Sequence, residues 1–373
     1  MRQPVWIALP TAFVAVPIAY YCLLQSRLSN PSVVVLGFML NIAATYWTPC
    51  DDYTVFMLIQ GAVANSILLR YIEAGMLPRH VQRKWTFLEM IEFWINSDNQ
   101  VVQKFRDESK SKGKRAVSVR MGRAVTHADR GFSFYLSYAI NIAWNIVVYT
   151  FARTWFMKYP YHGESWFLWP INFDSVLQQV MFAVLMYSNL QMSYLLLKVP
   201  LTLIFGLPLA EWFASPFIST SLRDFWSHRW NMRIKSTLHT IAFLPTMNYL
   251  QSKSGKSASY LRPQDVAAFS AFLASALYHE IAVLQFCPGY PLGGSSAFFI
   301  IQGALCLLQI RVQKLTGYGV TWGKGYVYSV LGWFMTLSVL LFTSPMFALS
   351  FSGPITTSHL IPEQLVSFFE RII

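Results

Sequence analysis

The sequence predicts an all-α integral membrane protein with about eight transmembrane helices. Of its 373 residues, 54% are apolar and only 12% are charged, whereas a soluble domain has roughly 25% charged residues. The apolar residues also form long runs without Asp, Glu, Lys or Arg, and a helix needs about 20 apolar residues to cross a bilayer. These uncharged runs, the shorter of which need neutral flanking residues, are Val5–Leu24, Val33–Trp47, Thr54–Leu69, Phe132–Ala152, Ser175–Leu197, Ser295–Ile310 and Gly325–Met346.

An eighth apolar run, Val266–Phe286, completes the predicted set of spans. The first run exceeds the roughly 7–15 apolar residues of a cleavable signal peptide and has no Ala-x-Ala-type site after it, so we predict that Val5–Leu24 is a retained span. The four cysteines form no C-x-x-C pair. They predict neither a disulfide framework nor a metal site.

The distribution of basic residues predicts the orientation of these spans. If residues 78–130 form a cytosolic loop, alternation leaves only Arg2, Arg153, Lys158 and Arg371 on the other side. The cytosolic side then holds 25 of the 29 Lys and Arg residues, as the positive-inside rule requires. We therefore predict that both termini lie in the lumen. The net charge of +12 belongs to loops between spans and indicates a lipid bilayer, not nucleic acid, as the partner.

The chain is predicted to form one membrane domain over residues 1–373, within which residues 78–130 are a basic cytosolic loop. In that loop, Trp85–Ile95 has the spacing of an amphipathic helix of the kind that lies on a membrane surface. Lys104–Arg123 is rich in Lys, Arg and Ser, which predicts a solvated segment.

The apolar segment Ser236–Leu250 is too short to be an obvious span. Counting it as one would move Lys253, Lys256 and Arg262 to the lumen, against the positive-inside rule. We therefore predict a re-entrant or interfacial segment, which leaves a total of eight to ten spans open.

The run Val266–Phe286 contains the candidate for a catalytic base. Its ionisable side chains are Tyr278, His279 and Glu280. A charge at the bilayer centre costs about 2.5–3.5 kcal/mol to insert, so ionisable residues there suggest function. A neutral His is cheaper to bury and suits proton transfer near pH 7. The alternative is that His279 has a structural role and only hydrogen-bonds to a neighbouring helix. Glu280 points about 100° away from His279 around the helix, so it need not share the same pocket.

The segment Pro216–Asn231 is dense in aromatic, charged and amide side chains. If it is helical from Ser221, Trp226 and Trp230 share one face at i, i+4. A band of aromatic residues with basic anchors at the membrane surface would explain the Trp and Arg residues of this segment.

Two other residues of this segment, Asp224 and Asn231, do not fit an aromatic band so readily. An Asp at a membrane surface needs a cationic partner, for which Arg223 and Arg229 are the candidates.

These residues resemble the wax synthase-like branch of the membrane-bound O-acyltransferases. The resemblance is carried by Ser221-Leu-Arg-Asp-Phe-Trp-x-x-Arg-Trp-Asn231 and by Leu277-Tyr-His-Glu280, and less specifically by Arg130-Gly131. The related diacylglycerol acyltransferases have a comparable aromatic-rich element that ends in Asn. The chain departs from the pattern at Ser227-His228, where family members commonly have Gly-Arg, and at Asn231, where fungal members often have His.

The resemblance implies a single-step transfer from acyl-CoA to a hydroxyl group. His279 would be the general base, and Asn231 would orient the reactants or donate a hydrogen bond to the developing oxyanion. The co-substrate would be acyl-CoA or acetyl-CoA, with no further cofactor and no metal. The implied motif or substrate-binding residues are Asp224, Phe225, Trp226, Arg229, Trp230 and Glu280.

The resemblance also bears on the acceptor and the compartment. The long basic loop before Arg130 is more like fungal members, which implies O-acetylation of an apolar, terpenoid-type secondary metabolite in the endoplasmic reticulum. Wax ester or steryl ester synthesis with long-chain acyl-CoA is the alternative.

A multi-span transporter is an alternative from another class, because transporters also use buried His and Glu side chains. Against it, the polar residues of the spans are not spread through several helices, and the sequence contains no repeated halves.

Overall fold

The computed structural model describes residues 7, 14–47, 66–95, 132–159, 167–168, 171–205, 211–253, 262–286, 291–316, 326–356 and 363–373. All regular secondary structure in these ranges is helical, as predicted. The chain divides into two compact units, Met1–Val147 with Leu190–Trp212, and Val148–Asn189 with Phe213–Ile373. That residues 1–373 act as one membrane domain stays a prediction.

The N-terminal part of the first unit is held together by aromatic side chains. The ring of Tyr20 lies 4.5 Å from that of Tyr71 and 5.4 Å from that of Trp94, centroid to centroid. Gly37 is required here, because a Cβ at that position would lie 1.8 Å from the Tyr71 ring. The helices of this part are α1 (Val16–Gln25), α2 (Asn30–Trp47), α3 (Ser66–Gly75), α4 (Arg79–Gln82) and α5 (Phe87–Ile95).

Helix α5 is the predicted amphipathic helix of the basic loop. Its N-terminus has a capping box, in which the Thr86 N–H donates to Glu89 at 2.7 Å and the Glu89 N–H donates to the Thr86 hydroxyl at 3.3 Å. Its apolar residues Met90, Phe93 and Trp94 are buried, and the helix packs against α1 and α3. The apolar face therefore covers protein instead of lying on a membrane surface.

Some sequence predictions fall outside the described residues. These are residues 5–6 and 8–13 of the run Val5–Leu24, most of the run Thr54–Leu69, the basic segment Lys104–Arg123, and Arg130-Gly131.

The second unit contains the spans that the structure supports. Among the described residues, three helical segments are long and apolar enough to cross a membrane: Pro263–Leu284, Gly294–Leu315 and Val327–Phe351. The total of eight spans is not confirmed and stays a prediction. The helices α6 (Phe132–Lys158) and α7 (Phe173–Phe205) run through both units, and the later ones are α8 (Leu222–Asp224), α9 (Met232–Leu238), α10 (Leu244–Lys253), α11 (Pro263–Phe286), α12 (Gly294–Thr316), α13 (Tyr326–Thr356) and α14 (Glu363–Ile372).

Helices α11, α12 and α13 approach each other closely at glycines. A Cβ on Gly294 would lie 2.4 Å from the backbone oxygen of Met346, and one on Gly303 would lie 2.9 Å from Phe272. Small residues at such crossings are typical of membrane helices, since packing rather than water exclusion drives their association.

The predicted re-entrant or interfacial segment is one continuous helical stretch formed by α9, a π-helical turn (His239–Phe243) and α10. The π turn precedes Pro245, whose missing N–H disturbs the regular ladder. In the π register the Leu244 N–H donates to the His239 oxygen. The Ser270 hydroxyl of α11 lies 3.3 Å from the Ala242 oxygen of the same turn. The stretch is therefore anchored on the helix that carries His279.

Candidate active site

His279 is held in one tautomer by its own helix. Its Nδ1 lies 2.8 Å from the backbone oxygen of Ser275, one turn earlier on α11. A carbonyl oxygen only accepts, so Nδ1 carries the proton and Nε2 carries the lone pair of the neutral ring. This hydrogen bond lies within α11 and is not the bond to a neighbouring helix that was the alternative to catalysis. It leaves Nε2 as a proton acceptor.

Two phenylalanine rings fix the plane of the imidazole. The Phe299 ring of α12 stacks on it at 4.2 Å and 27°, and the Phe347 ring of α13 meets it edge-on at 5.6 Å and 68°. His279 thus lies among three helices in an apolar setting, which is where a neutral base is favoured over a charged one.

The carboxylate of Glu280 accepts hydrogen bonds from the N-terminal turn of α12. One carboxylate oxygen accepts from the Gly293 N–H at 2.5 Å, and the other accepts from the hydroxyls of Ser295 at 2.9 Å and Ser296 at 2.7 Å. A carboxylate is favourable at a helix N-terminus, where the exposed N–H groups carry partial positive charge. The structure therefore places Glu280 as an anchor between α11 and α12, the helices that carry His279 and Phe299.

The motif segment begins as a helix at Ser221, as predicted, but does not continue as an α-helix. The Ser221 hydroxyl caps it by accepting from the Asp224 N–H at 2.9 Å. The turn Phe225–Arg229 is π-helical, with the Trp230 N–H donating to the Phe225 oxygen at 2.8 Å. The α-helical register assumed for the i, i+4 face is therefore wrong, because a π turn holds more residues than an α turn, although the Trp226 and Trp230 rings still make an edge contact.

The π turn changes which aromatic rings pair. Phe225 stacks on Trp230 at 5.2 Å and 17°, whereas Trp226 meets Trp230 at 6.4 Å and 75°. Phe213 and Tyr187 also contact the Trp230 ring, at 5.3 Å and 6.5 Å. Phe225 and Trp230 thus stack on each other, and Trp226 lies outside this stack.

Arg229 is the cationic partner that Asp224 requires. Its Nε donates to Asp224 Oδ2 at 2.7 Å, and its terminal nitrogen donates to the backbone oxygens of Ala214 at 3.2 Å and Ser215 at 3.4 Å. The pair closes the π turn and ties it to the chain before it. Of the two predicted candidates, Arg229 is therefore confirmed.

Asn231 ends the motif and starts the next helix. Its backbone is left-handed at φ 38°, and its Oδ1 accepts from the Ile234 N–H at 3.2 Å as the N-cap of α9. Asn tolerates this conformation better than most residues, which explains an amide at this position without reference to catalysis. Within the described residues, Asn231 and His279 share no direct hydrogen bond.

Trp226 connects the motif segment to the surroundings of His279. Its ring meets Phe299 at 5.6 Å and 60°, and Phe299 is the ring that stacks on His279. Its Nε1 donates to Gln302 Oε1 at 3.2 Å, and Gln302 Nε2 donates to the Thr343 hydroxyl at 2.8 Å. The motif and the base are thus brought together through α12.

Sequence reasoning missed the role of Gln302, because within the apolar runs it considered ionisable side chains only. The side chains of Gln179, Gln302 and Thr343 are buried in α7, α12 and α13, so the expectation that polar residues are not spread through several spans is wrong. The sequence signal that could have found Gln302 is an amide side chain in the middle of the uncharged apolar run Ser295–Ile310. Among the described residues, no group of three or more His, Cys, Asp or Glu side chains is arranged to hold a metal ion.

Comparison with known proteins finds similarity over the segment that carries this site. Residues 209–301, which include both the motif segment and His279, match the membrane bound O-acyl transferase family. The chain is 26% identical over 158 residues to probable long-chain-alcohol O-fatty-acyltransferase 7 of Arabidopsis thaliana, covering 42% of this chain and 44% of that protein. It is 28% identical over 134 residues to acyl-CoA–sterol O-acyltransferase 1 of the same plant, covering 36% and 37%. The resemblance to the wax synthase-like branch is confirmed over this segment.

The matches cover only part of each protein. The chain spans less than half of the length of the curated relatives it matches.

Proposed function

We propose that this protein is an acyl-CoA-dependent O-acyltransferase whose general base is His279. The observation that carries the proposal is the Nδ1 hydrogen bond to Ser275, which leaves Nε2 as the proton acceptor. The Phe299 ring that stacks on His279 also contacts the motif residue Trp226. The family match over residues 209–301 supports the reaction class.

In this mechanism the acceptor hydroxyl attacks the thioester carbonyl while His279 Nε2 takes its proton. The tetrahedral intermediate collapses, the C–S bond breaks, and the proton passes to the leaving CoA thiolate. As the ring becomes cationic, the Nδ1–H bond to the Ser275 oxygen becomes charge-assisted and stronger. A positioned base of this kind contributes about 10²–10⁴-fold.

Asn231 completes the proposed site. Its Oδ1 serves the helix cap, so the role implied by the resemblance, donation to the developing oxyanion, falls to the Nδ2 amide. Donors of this type contribute roughly 2.7–4 kcal/mol in a measured oxyanion hole.

The acceptor is an apolar alcohol that enters from the bilayer of the endoplasmic reticulum, and the donor binds from the cytosolic face. The basic loop of residues 78–130 suits the phosphates of CoA. The names of the relatives, which refer to long-chain alcohols and a sterol, support wax or steryl ester synthesis. O-acetylation of a terpenoid-type secondary metabolite is the second candidate, favoured by the likeness of the long basic loop to fungal members.

The test is CoA release by microsomes that carry the full chain. Acetyl-CoA and palmitoyl-CoA are each offered with long-chain, sterol and terpenoid alcohols. We expect release that requires both the alcohol and the protein and that is lost in His279→Ala but retained in His80→Ala, an exposed histidine. The preferred donor separates ester synthesis from acetylation. Full activity of His279→Ala would remove the base from the mechanism.

A further inference from the structure

One end of a buried amide near the proposed base lacks a hydrogen-bond partner among the described residues. Gln179 of α7 is fully buried, and its Nε2 has no partner among the described residues. Its Oε1 lies 2.6 Å from the Ser344 hydroxyl of α13. An amide end left unpaired in an apolar interior costs about 1–3 kcal/mol.

Ser344 cannot satisfy both of its neighbours as a donor. Its hydroxyl also lies 2.8 Å from the Leu341 oxygen, a backbone acceptor released because Pro345 has no N–H to offer. A hydroxyl has one proton, so when it donates to Leu341 it accepts from the Gln179 amide instead. In either orientation, one end of the Gln179 amide remains unpaired.

The unpaired amide lies close to the aromatic wall of the candidate active site. Phe182 follows Gln179 by one turn of α7, Phe347 follows Ser344 by one turn of α13, and the two rings meet at 6.4 Å. Phe347 is the ring that meets His279 edge-on at 5.6 Å. One helical turn is about 5.4 Å, so one turn and two ring contacts separate the Gln179 amide from the imidazole of His279.

We propose that Gln179 and Ser344 form a subsite that binds a second hydroxyl of the acceptor, remote from the one that is acylated. A hydroxyl both donates and accepts, so it pairs with whichever end of the amide is unpaired. Ser344 and Phe347 are only half-buried, which lets an apolar diol reach the pair along α13. The ligand class is therefore an apolar alcohol with two separated oxygens.

This inference rests on the proposed function and names its acceptor more closely. A site that is built to hydrogen-bond a substrate oxygen discriminates against the analogue that lacks it, because its own polar group is then left unpaired. A purely apolar wall would favour the mono-alcohol instead.

The experiment compares matched acceptors in microsomes that carry the full chain. The pairs are α,ω-diols with 1-alkanols of six to twelve carbons, and steroid diols with monohydroxy steroids. The variants are wild type, Gln179→Met, which keeps the length of the side chain, and Gln178→Leu, a half-buried neighbour on the same helix. The measured quantity is the ratio of kcat/KM for the diol to that for the mono-alcohol.

We expect wild type and Gln178→Leu to prefer the diol of at least one spacing, and Gln179→Met to lose roughly ten-fold in that ratio. Turnover of the mono-alcohol by Gln179→Met shows that the variant is folded. An equal loss for both acceptors, or a wild type without a diol preference, would overturn the subsite but not the acyltransferase. Absence of CoA release with every alcohol would overturn the acyltransferase and the subsite with it.

Discussion

His279 and Asn231 each use one side-chain atom to hold local structure and leave the other for the proposed chemistry. His279 Nδ1 bonds to Ser275 and leaves Nε2, while Asn231 Oδ1 bonds to Ile234 and leaves Nδ2. The same residue can therefore serve the fold and the reaction. A substitution at either residue tests catalysis only if it preserves the hydrogen bond that holds the local structure.

Asn231→Asp preserves the side-chain acceptor that caps α9 and removes the amide donor. The carboxylate keeps an acceptor for the Ile234 N–H and, like Asn, tolerates the left-handed backbone. The amide donor, however, is gone. We expect normal extraction and thermal stability, with kcat lowered about 10²–10³-fold and KM for acyl-CoA little changed.

The measurement is steady-state CoA release beside thermal unfolding of the purified protein. Asn231→Gly serves as the control, since it accepts the positive φ but loses both the cap and the donor. A change in KM alone would make Asn231 a binding residue, and full activity of Asn231→Asp would reduce it to a helix cap.

The sequence predicts these residues unevenly. His279 could be found because an ionisable side chain is rare within an apolar run. The anchoring role of Glu280 could not, because its partners Gly293, Ser295 and Ser296 are 13, 15 and 16 residues further along the chain, and only the structure shows that they approach it. Gln302 carries no charge and so escapes a search for titratable groups.

Among the helical elements, the π turn Phe225–Arg229 determines how the motif is displayed. It stacks Phe225 on Trp230 and leaves Trp226 to meet Phe299 and Gln302. Sequence patterns assume the α-helical repeat, so a π turn shifts every facing relation that follows it. The start of this helix and its cationic partner were predictable from the cap at Ser221 and from charge, but its register was not.

The Asp224–Arg229 pair should hold this turn closed. Both side chains are mostly buried, with 18% and 27% of their side-chain surfaces exposed, so screening by solvent is limited. We expect Asp224→Asn and Arg229→Lys each to lower the melting temperature. Because each single change already weakens the pair, the double variant should be less destabilised than the sum, with a coupling energy of about 0.5–3 kcal/mol.

This double-mutant cycle is measured by thermal unfolding of detergent-purified protein. Arg223→Lys is the matched control, since Arg223 is an exposed arginine in the same segment. Additive losses from Asp224→Asn and Arg229→Lys would show that the two residues stabilise the turn independently.

For the whole molecule, composition was enough to predict a helical membrane protein, but not to count its spans. The three supported spans, Pro263–Leu284, Gly294–Leu315 and Val327–Phe351, combine length with apolarity. The stretch from α9 to α10 has the length of a span, roughly 30 Å at 1.5 Å per residue, but carries Arg233, Lys235 and Pro245. The length of this stretch favours a span, whereas its charges oppose one. The prediction of a re-entrant or interfacial segment therefore rests on the positive-inside count.

Single cysteines placed in the loops test the orientation that the positive-inside count predicts. In a background without the four native cysteines, Ser109→Cys should react with a membrane-impermeant maleimide from the cytosolic side of sealed microsomes. Ser165→Cys should react only after the lumen is opened. This pattern follows if residues 78–130 are cytosolic, because crossing the membrane with the basic loop would oppose the positive-inside rule.

Ser257→Cys decides whether the stretch from α9 to α10 crosses the membrane, since it lies just beyond the end of α10. A re-entrant or interfacial stretch returns the chain to the cytosol, so Ser257→Cys should behave like Ser109→Cys. Labelling only after the lumen is opened would make the stretch a span. It would also place Lys253, Lys256 and Arg262 on the lumenal side and reverse every later span, including the one that carries His279. The orientation of the base relative to the CoA-accessible face therefore depends on this one position.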